Sequence, residues 1–145
     1  MVNPNLEFVQ KFSLAYNAVC KPLCRELGLP QTAFDILMFL ANNPAYQTAS
    51  DIVEVRHIKA NLVSVNVERL VKKGYLVRQA VEHDRRKTKL LCTPQAQSVI
   101  ARGKQLQQSF FEGLFGDMDE EMRKTFFATL RLMEENLDGM LKEAK

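Results

Sequence analysis

The 145-residue sequence contains only three cysteines and two histidines, and it has no long apolar run. An odd number of cysteines does not suggest a framework of disulfides, so we expect a reducing, cytoplasmic environment. A membrane-spanning helix needs about 18 or more consecutive apolar residues. The longest uncharged run, Ile36–Ser50, is interrupted by polar residues and a proline. The first residues offer neither a basic leader nor an apolar stretch, so no secretory signal is expected.

Motifs of the common enzyme classes are also missing. The sequence has no GxSxG nucleophile motif, no P-loop and no GxGxxG motif. Cys20 and Cys24 share one helix face, which would suit a redox pair or metal ligands, but small buried cysteines more often serve as apolar core. His57 and His83 lack the clustering that a zinc site needs. We therefore expect no catalytic activity, no cofactor and no metal.

The charge that is present is unevenly distributed. Between Arg56 and Lys89 there are ten lysines and arginines against three acids, whereas the rest of the chain has ten against fourteen. The overall net charge of +3 therefore conceals a strongly basic segment. A local cationic patch suits a polyanion such as DNA, because each neutralised phosphate releases counterions. Charge runs are more often only solvated surface, so charge alone does not decide between these two interpretations.

Apolar periodicity predicts two helices in the first third of the chain. A helical stripe runs from Leu6 to about Leu27, and Gly28 then ends the helix. A second, short helix is predicted from Gln31 to Asn42 or Asn43. Its inward side chains are predicted to be Phe34, Leu37, Met38 and Leu40.

A helix-turn-helix is predicted next. Thr48 is a suitable N-cap, and Asp51 stands at the capping-box position for a short helix over residues 49–55. A second helix follows the turn at residues 56–58 and runs to about Lys73. Gly74 supplies the left-handed residue that ends this helix. The inward positions of the second helix are Val63, Val67, Leu70 and Val71.

A β-hairpin is predicted between this helix and the final part of the chain. Residues 75–80 alternate like a strand, 81–86 form the tip, and 87–92 return. The tip and the start of the returning strand contain most of the positive charge of the hairpin, namely Arg85, Arg86, Lys87 and Lys89. The resulting loop would stand beside the second helix of the helix-turn-helix.

Two long helices are predicted at the end of the chain. Thr93 caps the first, and Asp117 with Glu120 forms an aspartate version of a capping box for the second. Both carry apolar stripes that a short domain can hardly cover by itself. We therefore expect residues 5–28 and 94–145 to form a helical dimerisation region. A self-contained helical bundle is the alternative.

These features together resemble the winged helix-turn-helix of the MarR family of bacterial transcription regulators. The resemblance in element order covers nearly the whole chain. Its most specific parts are the helix end Arg69-Leu-Val-Lys-Lys-Gly74 and the Asp-x-Arg pattern of Asp84 and Arg86 in the wing. The resemblance implies a single domain over residues 1–145 that is mainly α with a small antiparallel β-wing. Residues 31–93 would be its DNA-binding lobe.

Groove geometry identifies candidate DNA contacts on the second helix of the helix-turn-helix. A helix in the major groove presents its outward residues to base edges. Asn61 is suited to adenine, Val65 to a thymine methyl group, and Ser64 to a phosphate or a base. Lys59, Lys72 and Lys73 are phosphate candidates. The full outward set is Lys59, Ala60, Asn61, Ser64, Val65 and Glu68.

The family resemblance also implies roles in the wing. Arg86 would enter the minor groove and Asp84 would orient it, with Arg85, Lys87 and Lys89 close to phosphates. The sequence departs from the family pattern where Lys59 and Ala60 replace a Ser or Thr cap; either His57 or Asn61 would then take over the capping. Asn66 replaces a common leucine, so it either faces outward or forms a local hydrogen bond.

The resemblance further implies a small aromatic or amphipathic effector, bound in a crevice beside the DNA-binding lobe. The walls of such a crevice would include Phe12, Tyr16, Phe34 and Met38, together with Phe110. Residues of these types more often belong to an ordinary apolar core.

The sequence therefore predicts a sequence-specific DNA-binding transcriptional regulator. As a homodimer it would bind double-stranded DNA at a pseudo-palindromic operator, with half-sites about one helical turn apart. We expect a repressor that a small-molecule effector releases. The alternative is a winged-helix protein–protein interaction module, which would have an acidic or apolar recognition helix and a wing without arginines. The basic wing favours DNA.

Overall fold

The computed structural model describes residues 6–144; the start of the predicted 5–28 region and the end of the 94–145 region lie outside this range. The chain forms two compact units that divide between Gln108 and Ser109. The helices are α1 (Leu6–Leu27), α2 (Gln31–Asn42), α3 (Ala49–Arg56), α4 (Ala60–Lys72), α5 (Gln97–Phe115) and α6 (Glu120–Glu143), and the strands are β1 (Leu76–Val81) and β2 (Asp84–Cys92). A short 3-10 helix, Pro94–Ala96, precedes α5. The predicted class, mainly α with a small antiparallel wing, is confirmed.

Helix α2 lies at the centre of the first unit because it is apolar nearly all round. Phe34, Ile36 and Leu37 are fully buried, and the predicted inward residues Met38 and Leu40 are buried too. One side of α2 contributes to a core shared with α3, α4 and both strands. Burying a large aliphatic or aromatic side chain stabilises a fold by about 1.5–3 kcal/mol. This core therefore fixes α4 and the strands against α2.

The predicted capping box of α3 is confirmed. The Thr48 hydroxyl oxygen accepts a hydrogen bond from the Asp51 amide at 3.1 Å, and Asp51 Oδ2 accepts one from the Thr48 amide at 3.0 Å. The same carboxylate accepts a third from the Gln47 amide. Although desolvation acts against it, these hydrogen bonds hold the pKa of Asp51 below its usual value. The charged carboxylate thus fixes the start of the helix-turn-helix.

Helix α4 has the predicted inward face, with Val63, Val67 and Leu70 buried. Asn66 is also buried, and its Nδ2 donates a hydrogen bond to the Leu62 carbonyl at 2.8 Å. Of the two alternatives for this residue, the local hydrogen bond is therefore correct. Because the buried Asn66 amide forms its hydrogen bond within its own helix, it does not disturb the apolar contacts of α4.

The turn into α4 differs from the expected capping. His57 adopts a left-handed conformation (φ 54°) and ends α3. Lys59 occupies the N-cap position of α4, and its side chain makes no capping hydrogen bond. The expectation that either His57 or Asn61 caps α4 is therefore wrong: Lys59 is the N-cap, and His57 serves the preceding helix.

The wing strands extend further toward the tip than predicted. The turn is only Glu82–His83, where His83 takes a left-handed φ of 72°, and pairing resumes at Val81 and Asp84 after a register shift. The longer tip predicted for 81–86 is therefore wrong, and Arg85 and Arg86 lie on β2. The reason is the left-handed histidine, which closes the hairpin in two residues.

A third segment attaches this hairpin to the helix-turn-helix. The Leu90 amide donates to the Gln47 carbonyl at 2.7 Å, and Thr48 forms a bridge with Lys89. The wing is therefore joined by backbone hydrogen bonds to the residues that start α3.

A second apolar cluster lies where α1, α2 and α5 meet in the first unit. It contains Cys20, Leu23, Cys24, Phe34 and Met38. Gly103 permits this packing, because a Cβ atom there would collide with the Met38 sulfur.

The second unit consists of the last part of α5 and the whole of α6. Phe115 forms edge contacts with Phe126 and Phe127, with ring centroids 5.6 and 5.4 Å apart. Asp119, rather than the predicted Asp117, caps α6: its Oδ1 accepts from the Met122 amide at 2.8 Å. The reversal after Gly116 extends through Met118, whose amide bonds to the Phe115 carbonyl, so the helix starts later.

None of the helices that the structure describes is both long enough and apolar enough to cross a membrane. Within residues 6–144, no group of three or more histidine, cysteine, aspartate or glutamate side chains is arranged to hold a metal ion.

Candidate nucleic-acid interface

The outward face of α4 is exposed along its length. The predicted set, Lys59, Ala60, Asn61, Ser64, Val65 and Glu68, is exposed in every case. Leu62 and Val65 are 46% and 56% exposed, which places apolar groups beside the polar ones. Because the opposite face is anchored in the core, this surface is held rigidly toward solvent.

Glu68 on this face is joined to the wing. Arg78 of β1 donates a hydrogen bond from Nη2 to Glu68 Oε2 at 2.8 Å, and the two side chains are 43% and 48% exposed. The hydrogen bond and the charge of Arg78 lower the pKa of Glu68. Arg78 was not among the predicted site residues, since its partner lies ten positions away across the α4–β1 turn and local spacing gives no signal for it.

Asp84 contacts the backbone of Arg86 in this structure. Its Oδ1 accepts a hydrogen bond from the Arg86 amide at 3.0 Å, which makes a local turn at the start of β2. Asp84 is half-buried, whereas Arg86 is exposed. The other predicted wing cations, Arg85, Lys87 and Lys89, are exposed as well. Asp84 thus fixes the backbone from which the Arg86 side chain projects.

Lys73, which was predicted to contact a phosphate, is hydrogen-bonded to α1 in this structure. Its Nζ donates a hydrogen bond to the Leu27 carbonyl at the end of α1, at 2.9 Å. A cation at this place favours the negative end of the α1 dipole. The end of α4 is therefore linked to the end of α1, a connection that no sequence pattern indicated.

A groove of about 430 Å³ separates α3, α4 and the two strands. Its walls are mostly apolar, but the hydroxyl-bearing residues Ser50, Ser64 and Thr88 also line it. Hydroxyl groups of this kind can contact either phosphates or base edges. Ser50 and Thr88 were not predicted as site residues.

Of the residues predicted for an effector crevice, Phe34 and Met38 belong to the second apolar cluster and Tyr16 packs against it. Phe34 and Met38 are fully buried, while Phe12 and Tyr16 are half-buried. The Tyr16 hydroxyl accepts a hydrogen bond from Gln107 Nε2 at 2.9 Å, and burial raises the pKa of this phenol to about 12. In this conformation Phe34 and Met38 are part of the packed core and do not line an open crevice. Phe110 belongs to the second unit.

The three cysteines are free thiols. Burial raises the pKa of Cys20, and it raises that of Cys24 to about 11, with the charge of neighbouring groups adding to the shift. Burial also raises the pKa of Cys92. A thiol reacts and binds metals as the thiolate, so these environments disfavour both reactions.

Comparison with known proteins agrees with this arrangement. Residues 27–87 match the sequence model of the MarR family. No curated protein matches the sequence.

Several solved structures share the fold. A MarR transcriptional regulator from Methanosarcina mazei Go1 superposes with a TM-score of 0.80 at 20% identity, over 92% of this chain and 96% of that chain. A MarR family regulator from Listeria monocytogenes, complexed with 26mer DNA, superposes with a TM-score of 0.84 at 15% identity, over 94% of this chain and 90% of that chain.

BpsR from Bordetella bronchiseptica, whose DNA binding is regulated by 6-hydroxynicotinic acid, gives a TM-score of 0.69 at 18% identity, over 88% of this chain and 91% of that one. At these identities the likeness concerns the fold. The chain is thus similar to MarR family proteins in sequence over residues 27–87, and it shares the winged helix-turn-helix fold of MarR regulators of known structure.

Proposed function

We propose that this protein is a sequence-specific DNA-binding transcriptional regulator. The observation that carries the proposal is the exposed face of α4 beside a β2 strand that carries four exposed cations, Arg85, Arg86, Lys87 and Lys89. An anchored helix with a cationic strand beside it provides both a base-reading element and contacts to phosphates. The Listeria relative solved with 26mer DNA supports this function for the fold.

In this proposal α4 enters the major groove. Asn61 pairs with adenine, Val65 contacts a thymine methyl group, and Ser64 contacts a base or a phosphate. Lys59 contacts a phosphate at the start of the helix, as does Lys72 at its end, and Ala60 allows the backbone to approach closely. Glu68 differs from the rest of this set, because its pairing with Arg78 makes it a residue that positions the wing.

The wing reads the minor groove through Arg86. A narrow minor groove concentrates negative potential, which attracts an inserted arginine. The Asp84 carboxylate holds the Arg86 amide, so the direction of the arginine is set before DNA binds. Arg85, Lys87 and Lys89 lie on the same strand on either side of Arg86 and contact the flanking phosphates.

We further propose a homodimer that binds a pseudo-palindromic operator in the cytoplasm. Two copies of α4 related by a two-fold axis require half-sites about one helical turn apart. The apolar residues of α6 are suited to the dimer contact, since Met133, Leu137 and Met140 are 52%, 53% and 62% exposed in the single chain.

We propose that the protein acts as a repressor relieved by a small aromatic or amphipathic effector. Support comes from BpsR, in which 6-hydroxynicotinic acid regulates DNA binding. The crevice residues proposed for this ligand are Phe12, Tyr16, Phe34 and Met38. Because Phe34 and Met38 are fully packed, binding among them requires this cluster to open.

The experiment that tests the DNA proposal is the substitution Arg86→Ala. We expect affinity for random-sequence duplex DNA to fall about tenfold, and the slope of log affinity against log salt to become shallower by about one. Binding is measured by fluorescence anisotropy at several salt concentrations. Arg131→Ala on exposed α6 is the matched control and should bind as the wild type does.

If Arg86→Ala and the control bound DNA equally well, Arg86 of the wing would not be part of the DNA interface. A wild-type protein without salt-sensitive DNA binding would contradict the whole proposal. The alternative, a protein–protein interaction module, would then be favoured by the exposed apolar residues Leu62 and Val65 of α4.

A further inference from the structure

Two apolar side chains lie exposed on the part of α4 that is proposed to meet DNA. Leu62 is 46% exposed and Val65 is 56% exposed. Single exposed apolar residues are common on protein surfaces. These two residues, however, are three positions apart on one helix and are therefore neighbours. Among residues 6–144, neither side chain belongs to either of the two apolar clusters of the core. The pair thus forms a small apolar strip on a mostly polar surface.

The strip lies on the side of α4 that faces away from the wing. Ala60 and Ser64 line the groove that α4 shares with α3 and the two strands. Leu62 is two positions from each of them, which places it about 160° away around the helix axis. Neither Leu62 nor Val65 lines that groove. The wing therefore does not cover the strip.

The backbone of Leu62 is fixed to the core of the first unit. Its amide donates a hydrogen bond to the Lys59 carbonyl at 3.0 Å. Its carbonyl accepts a hydrogen bond from Asn66 Nδ2 at 2.8 Å, and Asn66 is itself buried. Asn66 is therefore a positioning residue for Leu62, and the strip has a defined place on α4 before any partner binds.

The charge beside the strip is suited to DNA. Lys59 precedes Leu62 by three positions and Arg69 follows Val65 by four, so an exposed cation lies about one turn beyond each end. A stable protein–protein interface covers about 800 Å² on each partner, which is far more apolar area than two side chains provide. A polyanion that presents small apolar groups matches both the charge and the size of the strip.

The apolar group that DNA presents in the major groove is the C5-methyl group of thymine. Leu62 and Val65 are about 4.5 Å apart along the helix axis, which is comparable to the roughly 3.4 Å between successive base pairs. We propose that the strip binds the methyl groups of two neighbouring thymines in each half-site. The inference rests on the proposed DNA-binding function, for which it names bases that the half-site must contain and adds Leu62 to the base-reading residues.

The probe for the test is the duplex that the wild type enriches from a random DNA library. Each thymine of one half-site is replaced in turn by deoxyuridine, which lacks only the C5-methyl group and keeps the hydrogen-bonding groups of the base. At two neighbouring positions the replacement should weaken binding about three- to fivefold, because it removes a methyl group from an apolar contact. Fluorescence anisotropy of the 145-residue chain at one salt concentration measures the affinities.

Substitutions in the strip should remove this sensitivity to uracil. Leu62→Ala and Val65→Ala should each bind the thymine duplex about three- to fivefold more weakly and become insensitive to uracil at one of the two positions. Both residues are exposed and alanine favours helices, so neither variant should unfold. Lys72→Ala, which removes an exposed cation from the same helix, is the matched control. It should weaken binding of the thymine and uracil duplexes by the same factor.

A wild type that binds every uracil duplex as tightly as the thymine duplex would overturn the proposal. An enriched half-site without neighbouring thymines would do the same, as would Leu62→Ala and Val65→Ala variants that keep both sensitive positions. In these cases a duplex is still enriched, so the reading of methyl groups fails while the DNA-binding function stands. If the wild type enriches no duplex at all, the proposed function fails and this inference fails with it.

Discussion

Asp35 of α2 is an ionisable residue held in a mostly buried position beside α1. Burial raises the pKa of its carboxyl group to about 6, although the charge of Arg56 and a hydrogen bond from Gln31 act in the opposite direction. Desolvation is therefore the stronger effect at this residue. At neutral pH the fold contains a carboxylate that would be more stable in water.

Replacing this group should stabilise the protein at neutral pH. Between the unfolded pKa of about 3.9 and the folded value, the native state binds more protons, so stability falls as pH rises through that window. Asp35→Asn should remove this dependence and increase the free energy of unfolding at pH 7.5 by about 1–3 kcal/mol. Urea unfolding at pH 5 and 7.5, at one fixed protein concentration, measures the effect.

Asp138→Asn on the exposed surface of α6 is the control for this substitution and should keep the wild-type pH dependence. An Asp35→Asn variant that unfolds more easily at pH 7.5 would show that the charged form contributes favourably, contrary to the expectation from burial.

Residues with local partners were predictable from sequence, whereas residues with distant partners were not. Thr48 and Asp51 are three positions apart, and a capping box depends only on that spacing. Lys73 is bonded to Leu27, 46 positions away. A charged residue near a helix end is equally suited to solvent, to DNA or to a neighbouring helix. Only the position of the end of α1 beside the end of α4 decides among these partners.

At the level of elements, α4 and the wing are linked by the Glu68–Arg78 pair. Glu68 stands on the face proposed to meet DNA, where a negative charge is unfavourable. Its pairing with Arg78 also withholds a cation from the phosphates. We infer that the pair fixes the position of the wing and at the same time lowers DNA affinity.

Glu68→Gln should therefore increase DNA affinity a few-fold, and the salt dependence should steepen by about one ion, because Arg78 becomes available to a phosphate. Anisotropy titrations at several salt concentrations provide the measurement. The double variant Glu68→Gln/Arg78→Gln should lose the steeper slope, and Glu134→Gln on α6 is the control. Weaker DNA binding by Glu68→Gln would mean that the wing position fixed by this pair contributes more to DNA affinity than the freed Arg78 does.

The order of the elements was predictable, but some of their boundaries were not. Helices α1, α2 and α4 ended where glycine or a polar stop followed an apolar stripe. The wing turn was shorter than predicted because His83 adopts a left-handed conformation that its residue type only sometimes takes. The cap of α6 is Asp119 and not the predicted Asp117, since both aspartates have a side chain that is suitable for an N-cap. Local chemistry alone does not choose between them.

For the whole molecule, the feature that most requires a second copy is α6. No side chain of Glu120–Glu143, all of which the structure describes, is buried. Leu137→Lys should therefore convert the proposed dimer to a monomer, since a charge would enter an apolar contact. Sedimentation velocity gives the molar mass, and Glu135→Lys on the more polar side is the matched control.

A dimer that persists in Leu137→Lys would place the interface elsewhere. A monomeric wild type would remove the basis for a two-fold symmetric operator.

The fold of the whole chain was predictable because helical stripes, caps and the basic hairpin all pointed to one arrangement. The candidate site was predictable only as a surface. The outward residues of α4 follow from its helical period, so their exposure could be deduced. Whether Phe34 and Met38 form a pocket could not be deduced, because the walls of an apolar crevice and an apolar core have the same composition.

The most direct test of the central claim is a selection of bound duplexes from a random DNA library at two salt concentrations. We expect an enriched inverted repeat, with half-site centres about one helical turn apart and a steep loss of binding at the higher salt. Asn61→Ala should enrich a different half-site under the same conditions. A library recovered without enrichment, and bound equally at both salt concentrations, would contradict the proposal that this protein reads DNA.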